Sequence, residues 1–116
     1  MIKQQFDVLT IGNAIVDVIA KVDDAFVARE NLVKGSMNLI DEHRAEQLYS
    51  HMGPATEISG GSAGNTAAGV ASFGGYAAYI GKVKDDQLGG IYAHDMKSTG
   101  VHFATAKAKD GPSTAR

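Results

Sequence analysis

The chain is predicted to fold as an α/β sandwich built around a mainly parallel sheet. Strand-like and helix-like patterns alternate along it with short connections, as they do in parallel-sheet proteins. The first apolar run, residues 6–11, is rich in Val, Leu and Ile, which is typical of a buried strand. A length of 116 residues with 44% apolar and 21% charged residues is sufficient for one hydrophobic core.

The strands are short runs of apolar and β-branched residues bounded by glycine or by acidic residues. Gly12 ends the first run, and the second alternates apolar and polar residues as a half-buried strand does. Gly35 turns the chain into a third, brief run. The predicted strands cover residues 6–11, 15–22, 36–40, 56–59, 76–80 and 101–106.

Each predicted helix follows an acidic cap or a glycine turn. Asp23 or Asp24 precedes a short helix over residues 25–30, and Asp41 precedes a helix that Gly53-Pro54 ends. A third helix follows the paired glycines near residue 60. The last begins after Asp85 or Asp86 and stops at Gly100, a residue that commonly ends helices.

Gly60 and Gly61 form a paired-glycine turn that leads into a small-residue helix, within the sequence GGSAGNTAAGVASFGG. Without a Cβ atom, this backbone can bend sharply and approach a ligand closely. The free N–H groups of a first helical turn attract oxygen-rich ligands. Ser62 and Asn65 would lie beside such a ligand. The alternative interpretation is a turn before a closely packed helix, with no ligand.

The glycines do not match the common phosphate-binding motifs. No set of glycines in this run has the G-x-G-x-x-G spacing, so the dinucleotide fingerprint is absent. Gly69 and Gly74 have the first P-loop spacing, but Gly75 stands where that motif requires lysine. The loop therefore favours hydroxyl groups over a triphosphate.

Composition excludes several classes of partner. A net charge of −2 and a pI near 6.0 give no basis for binding nucleic acid or an acidic membrane surface. The four histidines lack metal-ligand spacing, so no metal site is predicted. The absence of cysteine fits a reducing compartment, and no run of eighteen apolar residues occurs. We therefore expect a cytoplasmic protein.

Polar residues follow the predicted strands at one edge of the sheet. Gly12-Asn13 follows the first strand, the Gly60-Gly61 pair another, and Gly81 a third. Open α/β sheets bind ligands beyond the carboxyl ends of their strands. This edge is the expected binding site.

Four motifs occur in order along the chain: GNAIVDV at 12–18, GGSAGNTA at 60–67, FGG at 73–75 and GKVKDDQLGG at 81–90. In this order and spacing they resemble the ribokinase-like (PfkB) family of carbohydrate and nucleoside kinases. The resemblance covers nearly the whole chain, as the N-terminal portion of a longer protein. GNAIVD and KGSMNLID favour the adenosine-kinase-like branch, whereas Lys84 stands where many relatives have glycine.

The resemblance implies a three-layer αβα sandwich with a small β lid, whose strands would lie within residues 14–22 and 34–40. It implies phosphorylation of a hydroxymethyl group on a sugar or nucleoside, with ATP and Mg²⁺ as cofactors. A closing lid would exclude water from the reaction. The edges of the lid make a homodimer plausible.

The resemblance also implies roles for individual residues. Asp17 would accept hydrogen bonds from two adjacent ring hydroxyls, and Asn13 would fix the ring. The backbone at Gly61 would approach the substrate, Ser62 and Asn65 would bind further hydroxyls, and Met37 would contact it from the lid.

Four of these roles have a simpler alternative. Asp17 would otherwise be a solvent-facing strand residue, Asn13 a turn residue, Asn65 a helix-start residue bonded locally, and Met37 an ordinary packing residue. The family's C-terminal DTxGAGD-type motif, which carries the catalytic aspartate, does not occur here. We therefore expect no catalytic residue in residues 1–116, and a fragment that is inactive by itself. A non-catalytic sugar- or nucleoside-binding module and a purely structural domain remain alternatives.

Overall fold

The structure is a computed structural model that describes residues 5–116. The chain divides into two compact units. The first contains the residues through Asp17 together with Glu57–Arg116, and the second contains Val18–Thr56. In chain order, the elements are β1 (Val8–Ile11), β2 (Ile15–Ala20), α1 (Asp24–Arg29), α2 (Glu42–His51), β3 (Ala55–Gly60), α3 (Ser62–Ser72), β4 (Ala77–Ile80) and α4 (Gln87–Ser98).

The first unit is built on a parallel pair of strands, β1 and β4, whose register runs from Val8↔Ala77 to Ile11↔Ile80. Helix α3 packs against both strands. On the other side of β4, His102 forms a parallel bridge with Ala78. This arrangement confirms the predicted α/β class with parallel strands.

The core of the first unit is centred on residues from β2, β4 and α4. Tyr79 and Tyr92 are fully buried, with ring centroids 5.6 Å apart. The ring of Phe103 lies 5.4 Å from that of Tyr79 and 5.8 Å from that of Tyr92. Aromatic rings at these separations interact favourably beyond their burial alone. The other fully buried large side chains are Met96, Val16 and Val83.

Three helices begin at aspartates whose side chains accept a backbone N–H from the first turn. The structure selects Asp23 rather than Asp24 for α1, and Asp86 rather than Asp85 for α4. Asp41 caps α2 as predicted. In each case a carboxylate oxygen satisfies an N–H group that has no partner within the helix.

Two predicted strands do not form. Residues 36–40 carry no strand, because Ser36 donates its hydroxyl to the Val33 carbonyl and Asn38 donates to Ser36. Such local bonds compete with a β-ladder. The predicted lid therefore has β2 within residues 14–22 but no strand within 34–40; β2 pairs with β3 instead. The predicted strand 101–106 is reduced to the single bridge at His102.

The second unit holds α1 and α2, which bury Phe26 and Leu48 respectively. Glu30, at the end of α1, is almost fully buried yet charged. Its carboxylate lies 3.1 Å from Arg44 Nη1 and 2.8 Å from His51 Nδ1, both on α2. Burial opposes ionisation of Glu30, but these two partners outweigh it and lower its pKa.

None of the helices in residues 5–116 is both long and apolar enough to cross a bilayer.

Candidate binding site at the glycine turn

The carboxylate of Asp17 lies directly over Gly60. A Cβ atom added at Gly60 would stand 2.4 Å from Asp17 Oδ2 and 2.9 Å from Oδ1. Only glycine leaves room for the carboxylate there, which explains the first glycine of the pair. Asp17 is exposed, and within residues 5–116 we find no hydrogen bond from the protein to its carboxylate.

Gly61 is the residue that brings Asn13 to the same turn. Its φ of +83° belongs to the left-handed region that glycine adopts freely. A Cβ atom there would also stand 2.8 Å from the carbonyl oxygen of Asn13. The strand end at Asn13 and the glycine turn are therefore in direct backbone contact, as the sheet-edge prediction required.

Ser62 and Asn65 are exposed at the start of α3. They are three residues apart, so they share one face of the helix. Gly61 caps this helix without a side-chain hydrogen bond, although its carbonyl accepts the N–H of Asn65 at 2.9 Å. The first turn of α3 thus presents hydroxyl, amide and N–H groups close to Gly60, over which the Asp17 carboxylate lies.

Met37, the predicted lid contact, belongs to the second unit. Its side chain is 80% exposed in a segment without helix or strand. It remains a predicted contact only.

Side chains beneath the turn hold it in place. The Tyr79 hydroxyl donates to the Gly12 carbonyl at 2.9 Å, and Asp95 Oδ2 accepts the N–H of Ser59 at 2.8 Å. The Tyr92 hydroxyl lies 3.5 Å from the carbonyl oxygen of Gly60. Burial, and then the neighbouring Tyr79, raise the pKa of Tyr92, so its hydroxyl stays neutral.

Sequence reasoning missed these supporting residues. Tyr79 is a polar residue in an otherwise apolar strand, and a buried tyrosine hydroxyl usually has a hydrogen-bond partner. That signal pointed to a structural role without identifying the partner. Asp95 gave no such signal, because it lies within a helix and its partner Ser59 is distant in sequence.

A cavity of about 380 Å³ adjoins the strand end, lined in part by Asn13, Lys82, Lys84 and Thr114. Lys84 Nζ donates to the Gly111 carbonyl at 2.7 Å, and Lys82 Nζ donates to the Ala106 carbonyl. These lysines are therefore engaged by the backbone of the segment that follows α4. Lys84, which stands where many relatives were expected to have glycine, thus contacts this segment through its side chain.

Asp86 is not a candidate proton donor. Its burial opposes ionisation, but the N–H groups of Gly89 and Thr114 and the hydroxyls of Thr114 and Ser113 outweigh it. They lower the pKa of Asp86 to about 2. It is therefore ionised at neutral pH, as a helix cap should be.

The described residues do not assemble a metal centre, because no group of three or more His, Asp or Glu side chains among residues 5–116 converges on one point. The donor groups at the turn are one carboxylate with hydroxyl and amide groups, which suit a neutral polyhydroxyl ligand.

Residues 5–116 match the family model described as pfkB family carbohydrate kinase. A comparison with curated proteins found no match. The solved adenosine kinase from Sinorhizobium meliloti is 63% identical, with a TM-score of 0.80 over 96% of this chain and 34% of that chain. A probable sugar kinase from Rhizobium etli CFN 42 is 59% identical, with a TM-score of 0.78 over 94% of this chain and 33% of that chain.

An adenosine kinase from Schistosoma mansoni, solved with adenosine, is 21% identical, with a TM-score of 0.74 over 91% of this chain and 32% of that chain. At that identity the match concerns the fold alone. The chain spans about a third of the length of the solved structures it matches. The αβα fold class implied by the motifs is confirmed.

Proposed function

The chain belongs to the pfkB family of carbohydrate kinases, and we propose that it supplies the acceptor-binding part of such an enzyme. The proposed reaction is ATP-dependent phosphorylation of a hydroxymethyl group on a sugar or nucleoside. The observation that carries this proposal is the exposed Asp17 carboxylate over Gly60, next to the start of α3.

Asp17 is suited to hold two adjacent hydroxyls of the acceptor. A carboxylate is an acceptor-only group with two oxygens, so it receives both hydroxyl protons at once. Hydrogen bonds to a charged group contribute about 1.5–3 kcal/mol each. The ring would lie along the glycine turn, with Asn13, Ser62 and Asn65 as further polar contacts and Gly61 as the point of closest backbone approach.

The proposed role of these residues is to position the acceptor. Phosphoryl transfer depends on in-line placement and on neutralising charge, and a well-oriented acceptor removes much of the entropic barrier. Family membership implies that ATP supplies the phosphoryl group, and we propose Mg²⁺ as its counter-ion. Neither is assigned ligands among residues 5–116, and no catalytic residue is assigned there.

Within the acceptor class, we propose a nucleoside of the adenosine type. The support is the 63% identical structure named adenosine kinase, together with the GNAIVD and KGSMNLID segments. Because the 59% identical structure is named a probable sugar kinase, sugars are the acceptors with which adenosine should be compared.

The experiment is transfer of labelled phosphate from ATP by the longest natural form of the protein. The acceptors are adenosine, other nucleosides, ribose and ketoses. We expect the highest kcat/KM with adenosine, and loss of acceptor use in Asp17→Ala with ATP binding retained.

Two outcomes would contradict the kinase. Acceptor binding without transfer would favour a non-catalytic binding module. No change of melting temperature with any sugar or nucleoside, combined with unaltered behaviour of Asp17→Ala, would favour a structural domain.

Location and assembly remain predictions. The absence of cysteine and the use of ATP support a cytoplasmic location. A homodimer through the predicted lid is tested by measuring the mass of the protein in solution.

A further inference from the structure

The segment after α4 returns to the strand that carries Asp17. We call residues 106–116 the C-terminal strap. Ala108 bridges Lys84, and Ala115 bridges Ile15 in parallel. The Ala115 carbonyl accepts the N–H of Val16 at 2.8 Å. The strap therefore pairs with β2 at the residue immediately before Asp17.

One carboxylate, that of Asp86, holds the far end of the strap. Its Oδ1 accepts the Gly89 N–H at 2.8 Å and the Thr114 hydroxyl at 2.7 Å. Its Oδ2 accepts the Ser113 hydroxyl at 2.8 Å and the Thr114 N–H at 3.0 Å. Thr114 is buried, and its hydroxyl oxygen in turn accepts the N–H of Lys84 at 2.9 Å.

This arrangement exceeds what a helix cap requires. Capping needs one oxygen that accepts one N–H, and the bond to Gly89 already provides it. Asp23 and Asp41 cap their helices through a single oxygen in this way. The second oxygen of Asp86 is directed entirely at the strap.

We propose that Asp86 is a positioning residue for the acceptor site: by fixing Thr114, it holds the Ala115 carbonyl against Val16 and so keeps Asp17 over Gly60. Asp86 does not touch the acceptor, and the inference rests on the proposed function. Only an ionised carboxylate offers acceptors on both oxygens, so asparagine should not replace aspartate here.

The test is Asp86→Asn in the longest natural form of the protein. The amide oxygen retains the Oδ1 position, and with it the helix cap and the bond from the Thr114 hydroxyl. The amide NH₂ group takes the Oδ2 position, where it faces the Thr114 N–H and breaks that bond to the strap. We expect kcat/KM for the acceptor to fall about 10-fold or more, with the KM for ATP within about 2-fold. The amide of Val16 should exchange with solvent about 10-fold faster, while the amide of Tyr79 in β4 stays unchanged.

Two further variants calibrate this result. Asp85→Asn is the matched control. The Asp85 carboxylate is 71% exposed, and its 3.9 Å separation from Lys107 of the strap is too long for a hydrogen bond, so we expect no kinetic change. Ser113→Ala removes one hydrogen bond to Oδ2 and should lower acceptor kcat/KM only about 2–3-fold. It keeps the inference testable if Asp86→Asn does not fold.

The outcomes separate the inference from the function on which it rests. If the wild type transfers phosphate and Asp86→Asn keeps its acceptor kcat/KM, the inference is overturned and the function stands. Equal losses for acceptor and ATP would also overturn it, since they indicate a general structural role. If the wild type transfers no phosphate, the proposed function fails. The inference is still tested in that case, because an unchanged rate of hydrogen exchange at the Val16 amide in Asp86→Asn would overturn it.

Discussion

Replacing Gly60 with alanine is expected to displace the Asp17 carboxylate while leaving the fold intact. The new methyl group would stand 2.4 Å from Asp17 Oδ2 and 2.7 Å from Cγ, so the carboxylate must move by roughly 1 Å to reach normal contact. A misplacement of about 1 Å costs on the order of 100-fold in rate, or about 2.7 kcal/mol. The strained side chain costs only about 0.5–1.5 kcal/mol of stability.

The assay is acceptor kcat/KM for Gly60→Ala alone and combined with Asp17→Ala. Once Asp17 is removed, the methyl group has no carboxylate to displace, so Gly60→Ala should have no further effect. The matched control is Gly69→Ala, because a Cβ atom there meets nothing within 4 Å. That variant should gain about 0.5–1 kcal/mol of stability. The reasoning is refuted if Gly60→Ala keeps wild-type acceptor kinetics, or loses activity equally without Asp17.

Three further predictions concern stability. In the folded protein the pKa of Asp86 is about 2 rather than 3.8. Its contribution to the free energy of unfolding is therefore complete above pH 3.8 and is lost as the pH falls through 2. Urea unfolding at decreasing pH should show this loss as about 1–2 kcal/mol. Glu30→Gln should lower the thermal stability of the second unit, because Arg44 and His51 lose their buried anionic partner. Gly64→Ala should cost about 1–3 kcal/mol in urea unfolding, because its Cβ would stand 2.3 Å from the Tyr92 hydroxyl.

Each stability prediction has its own counter-result. The first prediction is contradicted if the free energy of unfolding falls with decreasing pH in the same way for the wild type and for Asp86→Asn. The second fails if Glu30→Gln is no more harmful than Asp24→Asn, which breaks an exposed pair with Lys34 worth at most about 1 kcal/mol. Wild-type stability of Gly64→Ala would show that Tyr92 moves aside freely.

Local chemistry in the sequence predicted the helices and the glycine turn well. Acidic residues ahead of apolar-periodic segments located the starts of α1, α2 and α4, although pattern alone did not choose between Asp85 and Asp86. Nor did it indicate the contacts of the Asp86 carboxylate with Ser113 and Thr114, which are distant in sequence. Residues 36–40 failed as a strand because side-chain bonds within the segment replaced a ladder partner.

The candidate site was predictable to the extent that motifs encode it. The resemblance grouped Asp17 with Gly61, Ser62 and Asn65, and the contact between Asp17 and Gly60 is consistent with that grouping; their ligand-binding roles stay predictions. No motif indicated that Tyr79 supports the turn, because hydrogen bonds between distant elements leave no local periodic signal in the sequence.

The most direct measurement of the central claim is a crystal structure of the longest natural form of the protein with adenosine bound. The account predicts that the two Asp17 oxygens each lie about 2.5–2.8 Å from one of two adjacent ribose hydroxyls, with the ring along Gly61. A nucleoside bound elsewhere, or one that leaves Asp17 in contact with solvent alone, would contradict it.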